Sequence, residues 1–216
     1  MHRIIIFLGP SLDCHEAEKS LAAEYRPPAK RGDITKAADE GADIIGLIDG
    51  VFHQDNAVAH REILYAVKKG VKVIGASSMG ALRAAEMDTL GMIGIGEIYR
   101  MYRDGVLESD DEVALVFDPV SGYSLSEPLI NIRCTLRNAR EAGIIDADAH
   151  DALLAAARSI FYPGRMYSKI VSSAPDSVDA GTRERFLAWV ETHACDQKRK
   201  DAIAALGYIA KVAAEQ

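Results

Sequence analysis

The first half of the chain alternates between short apolar runs and longer stretches in which apolar residues recur at helical spacing. Continuous apolar runs occupy residues 3–8, 43–48 and 71–74. Such runs are typical of strands that are covered on both faces in a parallel sheet. Each run is followed by a loop and then by a helical pattern, which is clearest at residues 57–69. This alternation predicts an α/β fold in which a parallel, doubly wound (Rossmann-like) sheet carries helices on both faces.

Beyond residue 126 the pattern changes to helical spacing alone, rich in alanine and without a clear strand. We therefore predict an α/β core domain at residues 1–126 and a helical C-terminal region, packed on that core, at residues 127–216. The predicted helices of this region are 128–142, 146–160, 165–172, 182–193 and 197–214.

Two segments near the end of the predicted core have less regular patterns. The stretch 91–96, GMIGIG, has its glycines in the order G-x-x-G-x-G, not the dinucleotide-binding order G-x-G-x-x-G, so we interpret it as a connector and predict no cofactor. The apolar run 113–117 predicts a further strand. The three carboxylates before it, at residues 110–112, suit either a divalent metal or a solvated loop or helix start. We prefer the loop or helix start and predict no metal site.

The stretch at residues 70–86 is the most informative part of the chain. Its apolar strand stops at the small residues GASS, 75–78, and a helix begins near Met79. The segment ASSMG, 76–80, differs by one methyl group from the nucleophile-elbow sequence G-x-S-x-G, in which a sharp turn presents a serine hydroxyl. Ser78 is therefore a candidate nucleophile. The alternative is that Ser78 only caps the helix, since serine is a favoured N-cap residue.

A serine nucleophile needs a base within hydrogen-bond reach and N–H groups that stabilise an oxyanion. His53 and His60 both follow the strand that is expected to lie beside the serine turn, and we prefer His60 as the base. Asp49 is predicted to orient the histidine, and the N–H groups would come from Met79 and Gly80. The predicted catalytic residues are therefore Ser78, His60 and Asp49.

The loops at the carboxyl ends of the strands are predicted to bind the substrate, because doubly wound sheets bind their ligands there. Arg83 lies on the helix after the serine turn. It either pairs with Glu86 three residues later or holds an anionic carboxyl terminus. The predicted substrate-binding residues are Gly9, Pro10, Ser11, His53, Ser77, Met79, Gly80 and Arg83.

Composition narrows the possible classes of protein. A chain of 216 residues with 49% hydrophobic residues can build a substantial core. The net charge of -7 and the pI near 5.4 argue against nucleic-acid binding through phosphate contacts. The apolar run near the N-terminus is too short for a signal peptide or a membrane span. We therefore expect neither nucleic acid nor a membrane as a partner.

The three cysteines, Cys14, Cys134 and Cys195, are far apart and lack C-x-x-C spacing. This predicts neither a disulfide framework nor a zinc site. A reducing cytoplasm fits the pattern best, and we expect a cytoplasmic protein. Cys14 lies near a predicted helix start, which could lower its pKa, so it is a minor candidate for reactivity.

Several of these motifs together resemble the TfuA-like family. The twelve-residue segment around the serine turn is specific, whereas the first and last segments would be weak on their own. The likeness covers roughly residues 1–135. The segments that carry it are GPSL at 9–12, DGVF at 49–52, HREIL at 60–64, GASSMGALRAAE at 75–86, GM at 91–92 and DDEVA at 110–114.

Members of this family are partners of YcaO enzymes, which use ATP to activate a backbone amide during post-translational peptide modification. The resemblance implies a role in peptide backbone thioamidation, either in the biosynthesis of ribosomally made peptide natural products or on a methanogen enzyme. The resemblance also implies that the protein supplies sulfur to YcaO. The protein would bind a ubiquitin-like sulfur-carrier protein that bears a C-terminal thiocarboxylate and would hydrolyse it, releasing sulfide to YcaO. The expected partners are therefore a YcaO protein and the sulfur carrier.

Two functions from different classes follow from the motifs and the resemblance. As a hydrolase, the protein would cleave the thiocarboxylate through Ser78. As a non-catalytic adaptor, it would recruit the sulfur carrier or the peptide to YcaO, and Ser78 would be only a turn residue. A third function, small-molecule binding by a Rossmann-like domain, is suggested by the fold alone. We prefer the hydrolase.

Overall fold

A computed structural model describes residues 2–52, 56–118 and 124–215. The chain divides into two compact units, one made of residues 1–110 together with 198–216, and the other of residues 111–197. The sequence-based division has its boundary at residue 126, whereas here residues 111–126 belong to the second unit and the last helix belongs to the first.

The first unit contains a five-stranded, all-parallel sheet. Its strands are β1 (Ile4–Phe7), β2 (Glu24–Arg26), β3 (Ile44–Leu47), β4 (Lys72–Ala76) and β5 (Ile93–Ile95). The strand order across the sheet is β2-β1-β3-β4-β5. The direction of winding therefore reverses between β1 and β3, and such a switch point is where open α/β sheets bind their ligands.

Ten α-helices surround or follow the sheet within the described residues, and none of them is long and apolar enough to cross a bilayer. The five segments predicted as helices after residue 126 are all helical, with ends within two residues of those predicted. The helices are α1 (Cys14–Ser20), α2 (Asp33–Asp39), α3 (His60–Lys68), α4 (Met79–Met87), α5 (Glu97–Arg103), α6 (Leu129–Glu141), α7 (Ala147–Ser159), α8 (Tyr167–Ser173), α9 (Ala180–His193) and α10 (Gln197–Ala214).

Two apolar clusters cover the two faces of the sheet. On one face, α2, α3 and α4 pack against strand side chains that include Phe7 and Leu47. On the other face, α1 and α10 pack against Ile6 and Ile44. Because successive side chains of a strand point to opposite faces, the continuous apolar runs supply both clusters. The predicted α/β fold, with a parallel sheet between helices, is confirmed.

Two predictions about short segments are wrong. The stretch 91–96 contains β5, the edge strand, and is not merely a connector. Its Gly94 lies so close to the ring of Tyr99 that a Cβ atom would come within 2.2 Å of it. The run 113–117 is not a strand of the sheet, and Phe117 makes only an isolated bridge to Ser124. Its apolar side chains are explained by burial in a loop, since Val113 is fully buried.

The helical second unit has its own apolar core, to which α6, α7, α8 and α9 contribute. The acidic stretch at its start is used for ion pairs. Asp111 pairs with the buried guanidinium of Arg165, and Glu112 accepts two hydrogen bonds, of 2.8 and 2.7 Å, from Arg133. The stretch forms a short 3₁₀ helix, Asp110–Glu112, in agreement with the predicted helix start. It is partly buried and not fully solvated, because two arginines compensate the carboxylates.

A disulfide joins Cys134 of α6 to Cys195, which follows α9, with the two Cα atoms 5.7 Å apart. The prediction that the cysteines form no disulfide is therefore wrong. The two residues are 61 positions apart in sequence, and only the packing of α6 beside α9 brings them together. Their spacing along the chain carries no signal of this pairing.

Candidate functional site

The serine turn joins β4 to α4 without an intervening loop. Ser77 has a φ of 65°, in the left-handed region that residues other than glycine rarely adopt. The N–H of Ser78 donates to the carbonyl oxygen of Ala76 at 2.8 Å. A bond between residues two apart, around a residue with positive φ, is the pattern of a classic γ-turn. The chain therefore reverses sharply at Ser77, as the nucleophile-elbow motif predicts.

Two glycines allow the first turn of α4 to lie directly against the sheet. A Cβ atom on Gly80 would lie 1.7 Å from the carbonyl oxygen of Leu47, at the end of β3. A Cβ atom on Gly75 would lie 2.2 Å from the carbonyl oxygen of Gly80. The N–H of Gly80 donates to the carbonyl oxygen of Ile48 at 3.3 Å. The small residues of the motif are therefore required by close packing of backbone on backbone.

Ser78 is the residue before α4, but its side chain makes no capping hydrogen bond. The capping alternative is therefore wrong. The hydroxyl of Ser78 has no hydrogen-bond partner among the described residues. Throughout those residues, no side-chain nitrogen or oxygen atom is both fully buried and without a partner. It follows that the hydroxyl retains some access to solvent, although Ser78 as a whole is 2% exposed.

The N–H of Met79 is the nearest candidate donor for an oxyanion. Met79 is the first residue of α4, and its N–H has no acceptor in the described parts of the chain. The first bonds of the helix, of 3.0 and 3.3 Å, run from the N–H groups of Ala81 and Leu82 to the carbonyl oxygen of Ser78. The first N–H groups of a helix lack partners within the helix and lie at the positive end of its dipole. Ser78 and Met79 together therefore present a hydroxyl and a free N–H at one helix end.

A buried hydrogen-bond network lies beside this turn. The carboxylate of Asp49, which follows β3, accepts hydrogen bonds from the N–H of Gly9 at 2.9 Å, the N–H of Ser11 at 3.1 Å and the hydroxyl of Ser11 at 2.7 Å. The hydroxyl of Ser77 donates to that of Ser11 at 2.9 Å. The network thus joins the ends of β1, β3 and β4 at the switch point of the sheet.

The structure places most of the predicted substrate-binding residues at this edge. Gly9, Pro10 and Ser11 form the loop between β1 and α1, and Ser77, Met79 and Gly80 form the serine turn. His53 lies outside the described residues. Asp49 contacts this β1–α1 loop, and no histidine is among its described partners. Its predicted role in orienting a histidine stays a prediction.

His60 lies apart from the serine turn, beside the C-terminal half of α4. Its Nε2 atom is 2.8 Å from the carboxylate of Glu86, which lies eight residues after Ser78, about 12 Å along the helix axis. Glu86 also accepts a 2.6 Å hydrogen bond from Arg83, whose Nε donates to the carbonyl oxygen of Val58 at 2.9 Å. The predicted Arg83–Glu86 ion pair is therefore present, whereas the structure shows no contact between His60 and Ser78.

Cys14 is the first residue of α1 and carries a free thiol. Partial burial raises its pKa, and the negative charge of Glu18 one turn later raises it further. The expected lowering of the Cys14 pKa is therefore wrong. A neighbouring carboxylate disfavours the thiolate, so this thiol lacks the activation of a reactive cysteine.

Sequence reasoning named Ser11, Asp49 and Ser77 separately but did not predict that they bond to one another. One signal was present, since each follows the end of a different predicted strand and the ends of parallel strands meet at one edge. A second signal was Gly75, two positions before Ser77. Gly75 and Ser77 match the first half of G-x-S-x-G, the half that Ala76 and Ser78 approximate.

The fold and the site define a doubly wound, parallel α/β protein with a serine turn at the carboxyl edge of its sheet. Comparison with family models gives a match to "TfuA-like protein" over residues 49–166, more than half of the chain. The chain therefore belongs to the TfuA-like family, which is associated with YcaO-dependent thioamidation and linked to YcaO partnering. The chain matches no curated protein.

Proposed function

We propose that this protein serves a YcaO enzyme in peptide backbone thioamidation by hydrolysing the C-terminal thiocarboxylate of a ubiquitin-like sulfur-carrier protein. The observation that carries the proposal is that the hydroxyl of Ser78 and the N–H of Met79, adjacent at the start of α4, both lack hydrogen-bond partners among the described residues. Membership of the TfuA-like family supports the link to YcaO. The carrier as the sulfur source is part of the proposal.

The proposed reaction has two steps. The oxygen of Ser78 forms a bond to the thiocarboxylate carbon, the carbon–sulfur bond breaks, and the serine proton leaves with the sulfur as hydrosulfide. Water then attacks the resulting acyl ester, the carbon–oxygen bond to Ser78 breaks, and the serine hydroxyl is restored as the carboxylate forms. The sum is thiocarboxylate plus water giving carboxylate, hydrosulfide and a proton. The acyl-enzyme route divides one difficult step into two easier ones.

The first turn of α4 would stabilise the charge that develops on the carbonyl oxygen. Met79 supplies a free N–H, and the helix dipole favours negative charge at this end. The N–H of Gly80 is already bonded to Ile48, so its contribution would require that bond to open. Arg83 would help to attract the carrier's anionic terminus, although Glu86 partly neutralises it. His60 is proposed as the base and would have to leave Glu86 to act.

The direct test is sulfide release from purified thiocarboxylated carrier by the wild-type protein and by Ser78→Ala. We expect the variant to lose release by at least about a thousandfold, the size of effect seen when a nucleophile is removed. Ser159→Ala, which removes a hydroxyl bonded to Ala156 in the second unit, is the matched control and should keep wild-type release. Undiminished release by Ser78→Ala would refute the nucleophile.

The adaptor function is the alternative that the same experiment separates. A pure adaptor would bind the carrier and YcaO without releasing sulfide, and Ser78→Ala would leave thioamidation by YcaO unchanged. Binding of the carrier and YcaO to Ser78→Ala, measured by calorimetry, should stay near the wild-type affinity if the protein is a hydrolase. Loss of release together with intact binding would therefore exclude the pure adaptor.

A further inference from the structure

Asp49, Ser11 and Ser77 form a hydrogen-bond chain with a defined direction. Each hydroxyl has one proton to donate. The Ser77 hydroxyl donates to the oxygen of Ser11, and the Ser11 hydroxyl donates to the carboxylate of Asp49. The chain therefore ends on a charged acceptor, and hydrogen bonds to charged groups are stronger than neutral ones. All three residues are buried, with Ser77 at 0% exposure.

This chain ends on the residue with the unusual backbone conformation. Ser77 has a φ of 65°, and residues other than glycine hold such conformations only where their surroundings enforce them. The 2.9 Å bond from its hydroxyl to Ser11 is an interaction that a different conformation of the turn would break. Asp49 in turn fixes Ser11 through both its N–H and its hydroxyl. The turn is thus held from the loop after β1.

The conformation of Ser77 decides where the next two residues point. With Ser77 in the left-handed region, the N–H of Ser78 turns back to Ala76 at 2.8 Å. The hydroxyl of Ser78 and the N–H of Met79 then remain without partners among the described residues. Loss of the γ-turn would redirect both groups.

We propose that Ser11 and Ser77 are positioning residues for Ser78: the chain from Asp49 through Ser11 to Ser77 holds the γ-turn that leaves the Ser78 hydroxyl and the Met79 N–H without hydrogen-bond partners among the described residues. The kinetic part of this proposal rests on the proposed function, whereas the structural part does not. The Ser77 hydroxyl is already committed as a donor to Ser11, and Asp49 accepts three hydrogen bonds from the β1–α1 loop, which gives it a role in holding that loop.

The kinetic test compares Ser11→Ala and Ser77→Gly with the wild type in sulfide release. Ser77→Gly removes the hydroxyl but retains access to positive φ, since glycine adopts it freely, so this variant is expected to fold. Each variant should lower kcat by about tenfold to a hundredfold, the range that a small misplacement of a reacting group can produce. KM for the carrier should not change. Ser159→Ala again serves as the control.

Coupling between the two serines gives a sharper readout. If the two serines act as one chain, the kcat of the double variant Ser11→Ala/Ser77→Gly should be no lower than that of the less active single variant. Wild-type kcat in both single variants, a loss confined to KM, or multiplicative losses in the double variant would each overturn the proposal. A hydrolase in which only Ser78→Ala is inactive would then stand without these positioning residues.

A measurement without carrier separates the failure of this proposal from that of the proposed function. Hydrogen exchange at the bonded amides of Ser78 and Gly80 should be faster in Ser11→Ala and in Ser77→Gly than in the wild type, because the γ-turn opens more often. Unchanged exchange would overturn the structural part of the proposal even if kcat fell. If Ser78→Ala kept full sulfide release, the proposed nucleophile would fail, and exchange would still decide whether the chain holds the turn.

Discussion

Gly80 is the residue on which the contact between α4 and the sheet depends most directly. A Cβ atom there would lie 1.7 Å from the carbonyl oxygen of Leu47. That oxygen belongs to the backbone of β3 and cannot rotate away. We expect Gly80→Ala to push α4 off the sheet and to destabilise the protein by about 2–3 kcal/mol, at the upper end of overpacking effects. Urea denaturation followed by circular dichroism would measure this.

Gly207→Ala is the matched control for that change. Gly207 is an exposed residue of α10, and an added Cβ atom there would have nothing within 4 Å. Alanine should stabilise the helix by about 0.5–1 kcal/mol, because glycine loses more conformational freedom on folding. If Gly80→Ala shifted the denaturation midpoint in the same direction as Gly207→Ala, the close backbone contact would not exist.

At single residues, the sequence predicted the sharp turn after β4 better than the contacts that hold this turn. The motif around Ser78 is local, so five consecutive residues were enough to identify the serine turn. The bonds that support it join Ser77 to Ser11 and Ser11 to Asp49, which are 66 and 38 positions apart. No local pattern encodes such a contact. It depends on the strand order, which places the ends of β1, β3 and β4 side by side.

At the scale of elements, the long amphipathic segments were predicted well and the short edge strand was not. Four of the helices after residue 126, α6, α7, α9 and α10, are 13 to 18 residues long and free of the glycine and proline clusters that mark turns, which favours helix over strand. β5 has three residues, one of them Gly94, and glycine is depleted in strands. For the apolar run 113–117 the sequence predicted a strand where the structure has a loop, because a short buried loop and a short buried strand have similar sequences.

The start of α6 gives a prediction about pH. Burial raises the pKa of the Glu127 carboxyl above its ordinary value of 4.5, and the nearby charge of Asp196 raises it further. Between the ordinary and the raised pKa, the folded protein binds more protons than the unfolded chain, so stability falls as pH rises through that interval. Glu127→Gln should remove this loss and be more stable than the wild type at pH 7.

The measurement for Glu127 is the denaturation midpoint of both proteins at pH 4 and at pH 7. The advantage of Glu127→Gln should be present at pH 7 and shrink toward pH 4, where the wild-type carboxyl is protonated. Glu141→Gln, at the exposed last residue of α6, is the control, and its effect on the midpoint should be similar at both pH values. An advantage that was independent of pH would contradict the assignment to proton binding.

For the whole molecule, the disulfide between Cys134 and Cys195 predicts a thiol count. Thiol titration of the folded chain without reductant should detect one free thiol, that of Cys14, and titration after reduction and unfolding should detect three. Closing a loop with a sequence separation of 61 should stabilise the oxidised form by about 4 kcal/mol in the chain-entropy account. Thiol titration and urea denaturation with and without reductant would measure both quantities.

Cys14→Ser is the control for the thiol count, because it should reduce the folded, unreduced count to zero and leave the effect of reductant on stability unchanged. Three thiols in the folded protein, purified without reductant, would contradict the disulfide. The sequence could not reveal this bond, since the packing of α6 and α9 determines it.

The packing of α10 against the second face of the sheet has a consequence for folding during synthesis. The strands β1 and β3 leave the ribosome early, but Leu206 and Ile209 of α10, which covers Ile6 and Ile44 together with α1, are translated only after the whole second unit. At about 5–20 residues per second, this face of the sheet waits roughly 10 to 40 seconds for α10. The helical unit, by contrast, is complete before α10 emerges. Newly made chains therefore pass through a stage in which a finished helical unit trails a half-covered sheet, and that stage is where chaperone binding would have the greatest effect on yield.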